Sequence, residues 1–149
     1  MFRVRTVLHP IDFSDTPSTA FDVSCALARD YGAELVLTHV VEPAFISFAN
    51  GLPQPIPSGL EEPALERLLA IQPADPKIAV RHVIATGNPV AEILRVATDA
   101  KADLIVMGTH SRTGLSRVIM GSVAEGVLRR SACPVVTVRN QGLKPSPDG

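Results

Sequence analysis

Five short apolar runs, at 6–11, 34–41, 78–85, 104–107 and 134–139, constrain this chain more than any other feature. They are rich in Val, Leu and Ile, and they read as strands buried on both faces, as in a parallel sheet. Between them apolar residues recur at helical spacing: Ala20, Ser24, Leu27, Ala28 and Tyr31, then Leu65, Leu68 and Leu69. Val90, Ile93, Leu94 and Ala97 follow, and then Val123, Ala124, Val127 and Leu128. Strand and helix alternate throughout. This predicts one α/β domain over 1–140, a five-stranded parallel sheet doubly wound with helices on both faces. Residues 141–149 are expected to form a disordered tail.

Local punctuation agrees. Ser14, Asp15 and Thr16 offer N-caps for the first helix, with Pro17 in its first turn and Gly32 as its stop. Asn88 caps a helix that begins at Pro89, and Arg129 and Arg130 suit the C-terminal end of the last one. One segment breaks the pattern. Residues 43–59 carry Pro43, Pro53, Pro55 and Pro57 with Gly51 and Gly59, and are expected to be a long structureless loop, either a lid or an insertion.

Composition excludes several classes. At 149 residues the chain can bury a proper core. A formal net charge of −1 and 4% aromatic residues without Trp give neither the basic footprint nor the stacking platforms of a nucleic-acid binder. The N-terminus has no apolar core of a signal peptide, and no apolar run reaches the length of a membrane span. Cys25 and Cys133 fit no Cys-x-x-Cys pattern and read as reduced, packed thiols of a cytoplasmic protein.

In a parallel α/β sheet ligands bind at the carboxyl ends of the strands, so Asp12, Val40-Val41-Glu42 and Gly108 should share one rim. The stretch Leu104–Arg130 carries the strongest signal: a buried strand, a turn at Gly108, a polar loop through Gly114, then Gly121-Ser122 opening a helix. Free N–H groups and the helix dipole can hold a phosphate there. The bland alternative is that Ser122 and Glu125 form a capping box. Leu115 follows Gly114 where a P-loop needs Lys, and no Gly-x-Gly-x-x-Gly occurs. His110, Arg112 and Arg117 of the loop could neutralise phosphate charge or be plain solvated side chains. His9 and His39 lack a third ligand for a metal site, and His39 is expected to bond internally. No motif supplies a catalytic group.

These same residues resemble the universal stress protein family, over nearly the whole length. The matching pieces are His9-Pro10-Ile11-Asp12-Phe13-Ser14, Leu37-Thr38-His39-Val40-Val41, Gly87-Asn88-Pro89, Ile105-Val106-Met107-Gly108-Thr109, Met120-Gly121-Ser122-Val123-Ala124-Glu125 and Cys133-Pro134-Val135. The resemblance implies an adenine-nucleotide α-hydrolase-like fold, a homodimer joined through the last strand, and a regulator that binds ATP, ADP or AMP, with Mg2+ or Mn2+ carried mainly by phosphate oxygens. Slow ATP hydrolysis at most is expected. By this likeness Asp12, beside Pro10 and Ile11, meets the adenosine. Val41, or Val40, offers backbone groups to the adenine. Gly108, Ser111, Gly121 and Ser122 would hold the phosphates, mostly through backbone N–H, and Met107, Thr109, Arg112 and Val123 would complete the nucleotide-binding set.

One branch of that family carries Gly-x2-Gly-x9-Gly-(Ser/Thr), and here the pattern reads Gly108-x2-Ser111-x9-Gly121-Ser122. Ser111 replaces a glycine. Were a positive φ needed there, the cost would be roughly 1–2 kcal/mol. Were close approach the reason, its hydroxymethyl group would either donate to a phosphate or block it. The alternative function is a dimeric interaction protein of the same fold that binds no nucleotide.

Overall fold

Alternate residues of the inner strands feed two separate cores, and this sets the architecture. The computed structural model describes residues 1–13, 18–47, 51–56, 59–109 and 120–139. In chain order the elements are β1 (Thr6–Pro10), α1 (Thr19–Tyr31), β2 (Glu34–Val41), β3 (Ala44–Ser47), β4 (Pro53–Ile56), α2 (Glu61–Leu69), β5 (Val80–Thr86), α3 (Pro89–Asp99), β6 (Leu104–Thr109), α4 (Ser122–Arg130) and β7 (Val135–Arg139). A five-stranded sheet runs β5-β2-β1-β6-β7, and every pairing in it is parallel.

Val7, Leu35, Leu37, Leu104 and Val106 pack on one face with Phe21 and Ala28 of α1 and Leu68 of α2. Leu8, Val36, Ile105 and Met107 pack on the other with Ile93, Val96 and Ala97 of α3 and Ala124 and Val127 of α4. Helices therefore cover both faces, which is why the strands lack polar alternation. Among the described residues no helix is long and apolar enough to cross a membrane.

Several local expectations are corrected. The cap of α1 is Ser18, whose hydroxyl accepts from the Phe21 N–H at 3.1 Å; Ser14 to Pro17 lie outside the described residues. The α1 core face is Ala20, Phe21, Ser24 and Ala28, while Tyr31 is exposed. Likewise α2 buries Ala64 and Leu68 and leaves Leu65 and Leu69 exposed, and Leu128 of α4 is exposed. The fourth sheet strand does not turn at Gly108. It runs on to Thr109, paired as Gly108↔Val138 and Thr109↔Arg139. The Pro-rich segment is not structureless: β3 and β4 form an antiparallel hairpin, Ala44↔Ile56 to Ser47↔Pro53. A free-standing two-stranded ribbon leaves one side of each strand unpaired, so prolines are tolerated in it. The expected tail lies outside the described residues.

Strand order reverses between β1 and β6. α1 and α2 lie on one face and α3 and α4 on the other, so the chain leaves these two neighbours in opposite directions. They pair only as Val7↔Leu104 and Leu8↔Ile105 before parting. Beyond that point Pro10 has no N–H to give. The Val106 carbonyl instead accepts from Nδ1 of the buried His9 at 2.8 Å. Burial pushes the His9 pKa from 6.5 down to about 4, against a smaller upward pull from that hydrogen bond.

Two outcomes follow from this packing. The unfolded chain protonates His9 near 6.5 and the folded one only near 4, so its contribution is complete above the first value and lost as pH falls toward the second. The loss amounts to about 3 kcal/mol. Denaturant unfolding between pH 7 and 4 should show this slope in the parent protein and lack it in His9→Gln; equal slopes would mean that folded His9 takes up its proton. The second concerns α3 against α4. A Cβ on Gly126 would sit 2.8 Å from Val90 Cγ2. Gly126→Ala should therefore lower stability by about 1 kcal/mol, overpacking outweighing the gain in helix propensity. Adding Val90→Ala should remove that clash, and a Gly126→Ala protein that melts higher than the parent would refute the contact.

Candidate functional site

Where β1 and β6 part, a cleft of about 670 Å³ opens at the carboxyl edge of the sheet. The ends of β1, β2 and β6 and the start of α4 form its rim. β1 and the residues after it bring Pro10, Ile11 and Asp12, and β2 brings Val40 and Val41. β6 brings Met107, Gly108 and Thr109, and α4 with its cap brings Gly121, Ser122 and Val123. The topology thus gathers residues remote in the chain around one hollow. Ser111 and Arg112 lie outside the described residues, as do His110 and Arg117.

At the β1–β2 end, backbone direction separates Val40 from Val41. The Val41 carbonyl accepts from the Gly87 N–H at 2.9 Å, on the β5 side. The Thr38 carbonyl faces the other way and accepts from the Ile11 N–H at 2.7 Å. Successive residues of a strand alternate in this respect, so the Val40 backbone groups face the β1 side, past the last residues of β1. Val40, rather than Val41, presents its N–H and carbonyl to the cleft. Asp12 is exposed at the same end, with Glu42 close in the chain to β2.

At the β6–α4 end the expected capping box is absent. The cap position of α4 is Gly121, with no side-chain hydrogen bond, and Ser122 is the first helical residue. Glu125 pairs with Arg129 at 2.8 Å instead. Of the other helices whose starts touch the cleft, α1 and α3 are capped by Ser18 and Asn88, and α2, with Leu60 at its cap position, has no side-chain cap. The first turn of α4 therefore keeps N–H groups without a side-chain cap, at the positive end of its dipole. Gly121 has φ −59° and ψ 151°, a conformation open to any residue. Among the described residues nothing demands a glycine at Gly108 either. A Cβ there would meet Ala20 Cβ at 3.8 Å and the Val138 carbonyl at 4.0 Å, which is ordinary contact.

The two histidines serve main-chain carbonyls. His39 Nδ1 donates to the Ile11 carbonyl at 2.7 Å, as His9 Nδ1 does to Val106. Among the described residues no three His, Cys, Asp or Glu side chains cluster as a metal site would need. Pattern reading passed over Phe13 as a cleft residue, and Arg67 of α2 altogether, although both line the hollow. The Arg67 guanidinium lies 4.2 Å over the Phe13 ring. No spacing in the sequence links a residue after β1 to one on α2, so no signal could have found that pair.

Comparison with known proteins agrees with this architecture. A model of the universal stress protein family matches residues 3–139. A universal stress protein of Methanocaldococcus jannaschii is 33% identical over 139 residues, covering 91% of this chain and 82% of the relative. Among solved structures, a universal stress protein in complex with cAMP superposes with a TM-score of 0.68 at 23% identity, covering 93% of this chain and 99% of the other. The universal stress protein from Archaeoglobus fulgidus in complex with dAMP gives 0.56 at 16% identity, covering 92% and 98%. At such identities the two structures speak for the fold, while the family match and the Methanocaldococcus relative speak for descent: the chain belongs to the universal stress protein family.

Proposed function

We propose that the cleft binds ATP or another adenine nucleotide and that the protein acts as a nucleotide-responsive regulator in the stress response. One observation carries this reading. The start of α4, without a side-chain cap, and Gly108 lie on the same hollow as Asp12 and the outward-facing backbone of Val40. A nucleotide needs these two kinds of surface at its two ends. The Asp12 carboxylate can accept from ribose hydroxyls or an exocyclic amine, and the Val40 N–H and carbonyl can pair with the edge of a base. Backbone N–H groups at Gly121, Ser122 and Val123 suit phosphate oxygens. Pro10, Ile11 and Met107 provide apolar walls, and Thr109 lies beside the phosphate end. That two relatives of this fold were solved with cAMP and dAMP lends support to an adenine ligand.

Ser111 and Arg112 would join the phosphate end from the loop between β6 and α4. A divalent ion, when a triphosphate is bound, would be held by phosphate oxygens and water. Among the described residues no base stands ready to activate a water, so binding rather than turnover is the proposed activity. Half-buried valines at the open β7 edge, Val135, Val136 and Val138, favour a homodimer joined there. Sedimentation of the parent protein measures that directly.

The deciding experiment is to denature the purified protein and look for released ATP, ADP or AMP by mass spectrometry, then to titrate apo protein with each. Gly121→Leu, whose backbone angles suit leucine, should keep the parent melting temperature and lose binding at least tenfold, about 1.4 kcal/mol. Binding that survives this substitution refutes the phosphate end. No released nucleotide and no thermal shift with ATP would leave a ligand-free interaction protein of the same fold.

A further inference from the structure

The residues on either side of Asp12 are pinned more tightly than a rim turn requires. Before it, Ile11 is held twice by β2: its N–H donates to the Thr38 carbonyl at 2.7 Å, and its own carbonyl accepts from His39 Nδ1 at 2.7 Å. After it, the Phe13 ring stacks on the His39 imidazole, with centroids 4.2 Å apart and planes inclined by 33°. The Arg67 guanidinium carbon lies 4.2 Å from the same ring centroid. Phe13 thus ties the turn to β2 through His39 and to α2 through Arg67.

Arg67 is exposed and makes no ion pair among the described residues. Its helix is anchored by the buried Ala64 and Leu68. Solubility alone does not require the guanidinium to lie on that ring, and a cation over an aromatic face is a directional attraction.

We propose that Arg67 and His39, acting through the ring of Phe13, position Asp12 at the base end of the cleft. This rests on the reading of the cleft as a nucleotide site. The clamp involves only β1, β2 and α2, whereas β6 and α4 build the phosphate end. Loosening it therefore weakens ligands that carry a nucleoside and spares those that are phosphate alone.

Arg67→Met keeps the stem and removes the charge on an exposed side chain. AMP affinity, measured by titration calorimetry, should fall about three- to tenfold. Tripolyphosphate affinity and the melting temperature should stay at the parent values, and Arg67→Lys should recover most of the loss. In ligand-free protein, amide exchange at Ile11, Asp12 and Phe13 should quicken in Arg67→Met and nowhere else. Unchanged AMP affinity in a protein that binds AMP overturns the proposal, as does a parallel loss of tripolyphosphate. If the parent protein binds no adenine nucleotide, the reading of the cleft fails separately. The exchange rates then decide the clamp: quickened at those amides they support it, unchanged they overturn it.

Discussion

The carboxyl edge of this molecule depends on two neighbouring strands parting early. β1 stays paired with β2 along its whole length but with β6 over only Val7↔Leu104 and Leu8↔Ile105. A split in the middle of a sheet exposes main-chain groups where water is scarce, and such groups destabilise the fold unless they find partners. Here imidazoles help to meet that demand. His9 serves the Val106 carbonyl and His39 the Ile11 carbonyl, while the Ile11 N–H reaches Thr38. Burial holds His9 neutral near pH 7, which preserves a fixed Nδ1 donor. These bonds satisfy the main-chain groups of Val106, Ile11 and Thr38 where the crevice opens.

The two ends of the crevice differ in construction. The β1–β2 end is closely braced, with Ile11 bonded twice to β2 and Phe13 in contact with both His39 and Arg67. Its polar features are side chains and strand backbone in set directions, which suits a rigid, planar group with a defined hydrogen-bonding edge. The β6–α4 end offers N–H groups and a helix dipole instead. That field is broad and tolerates variation in the anion it meets, as phosphates of different number would require.

The sheet was legible because strands buried on both faces show as unbroken Val, Leu and Ile runs, such as 104–107 and 34–41. Helix faces were less so. Counting leucines picks Leu65 and Leu69 for the core, but α2 approaches the sheet through Ala64 and Leu68, since a small residue lets the helix backbone come close. Prolines hid the hairpin of β3 and β4, because they are excluded from central strands but tolerated in an isolated ribbon. Most of the rim was readable, as strand ends in a parallel sheet share one edge. The choice between Val40 and Val41 was not, because it turns on which side of β2 each backbone group faces, and that needs the Gly87 bond to Val41 to be seen. The Phe13–Arg67 contact joins segments with no common periodicity.

What makes the β6–α4 end more than a generic strand-to-helix connection is a coincidence of local weaknesses. A glycine inside a strand is destabilising by about 0.5–1 kcal/mol, and Gly108 occupies such a place without a steric reason among the described residues. With glycine in place of a polar cap, α4 forgoes a few tenths of a kcal/mol more. Ser122 lies one position past the point where it could have provided that cap. On the same edge α1 is capped by Ser18 and α3 by Asn88, while α2, with Leu60 at its cap position, also lacks a side-chain cap. At this end a strand glycine and a helix start free of a polar side-chain cap lie side by side on the one cleft. They are what a surface kept bare for an anion would look like.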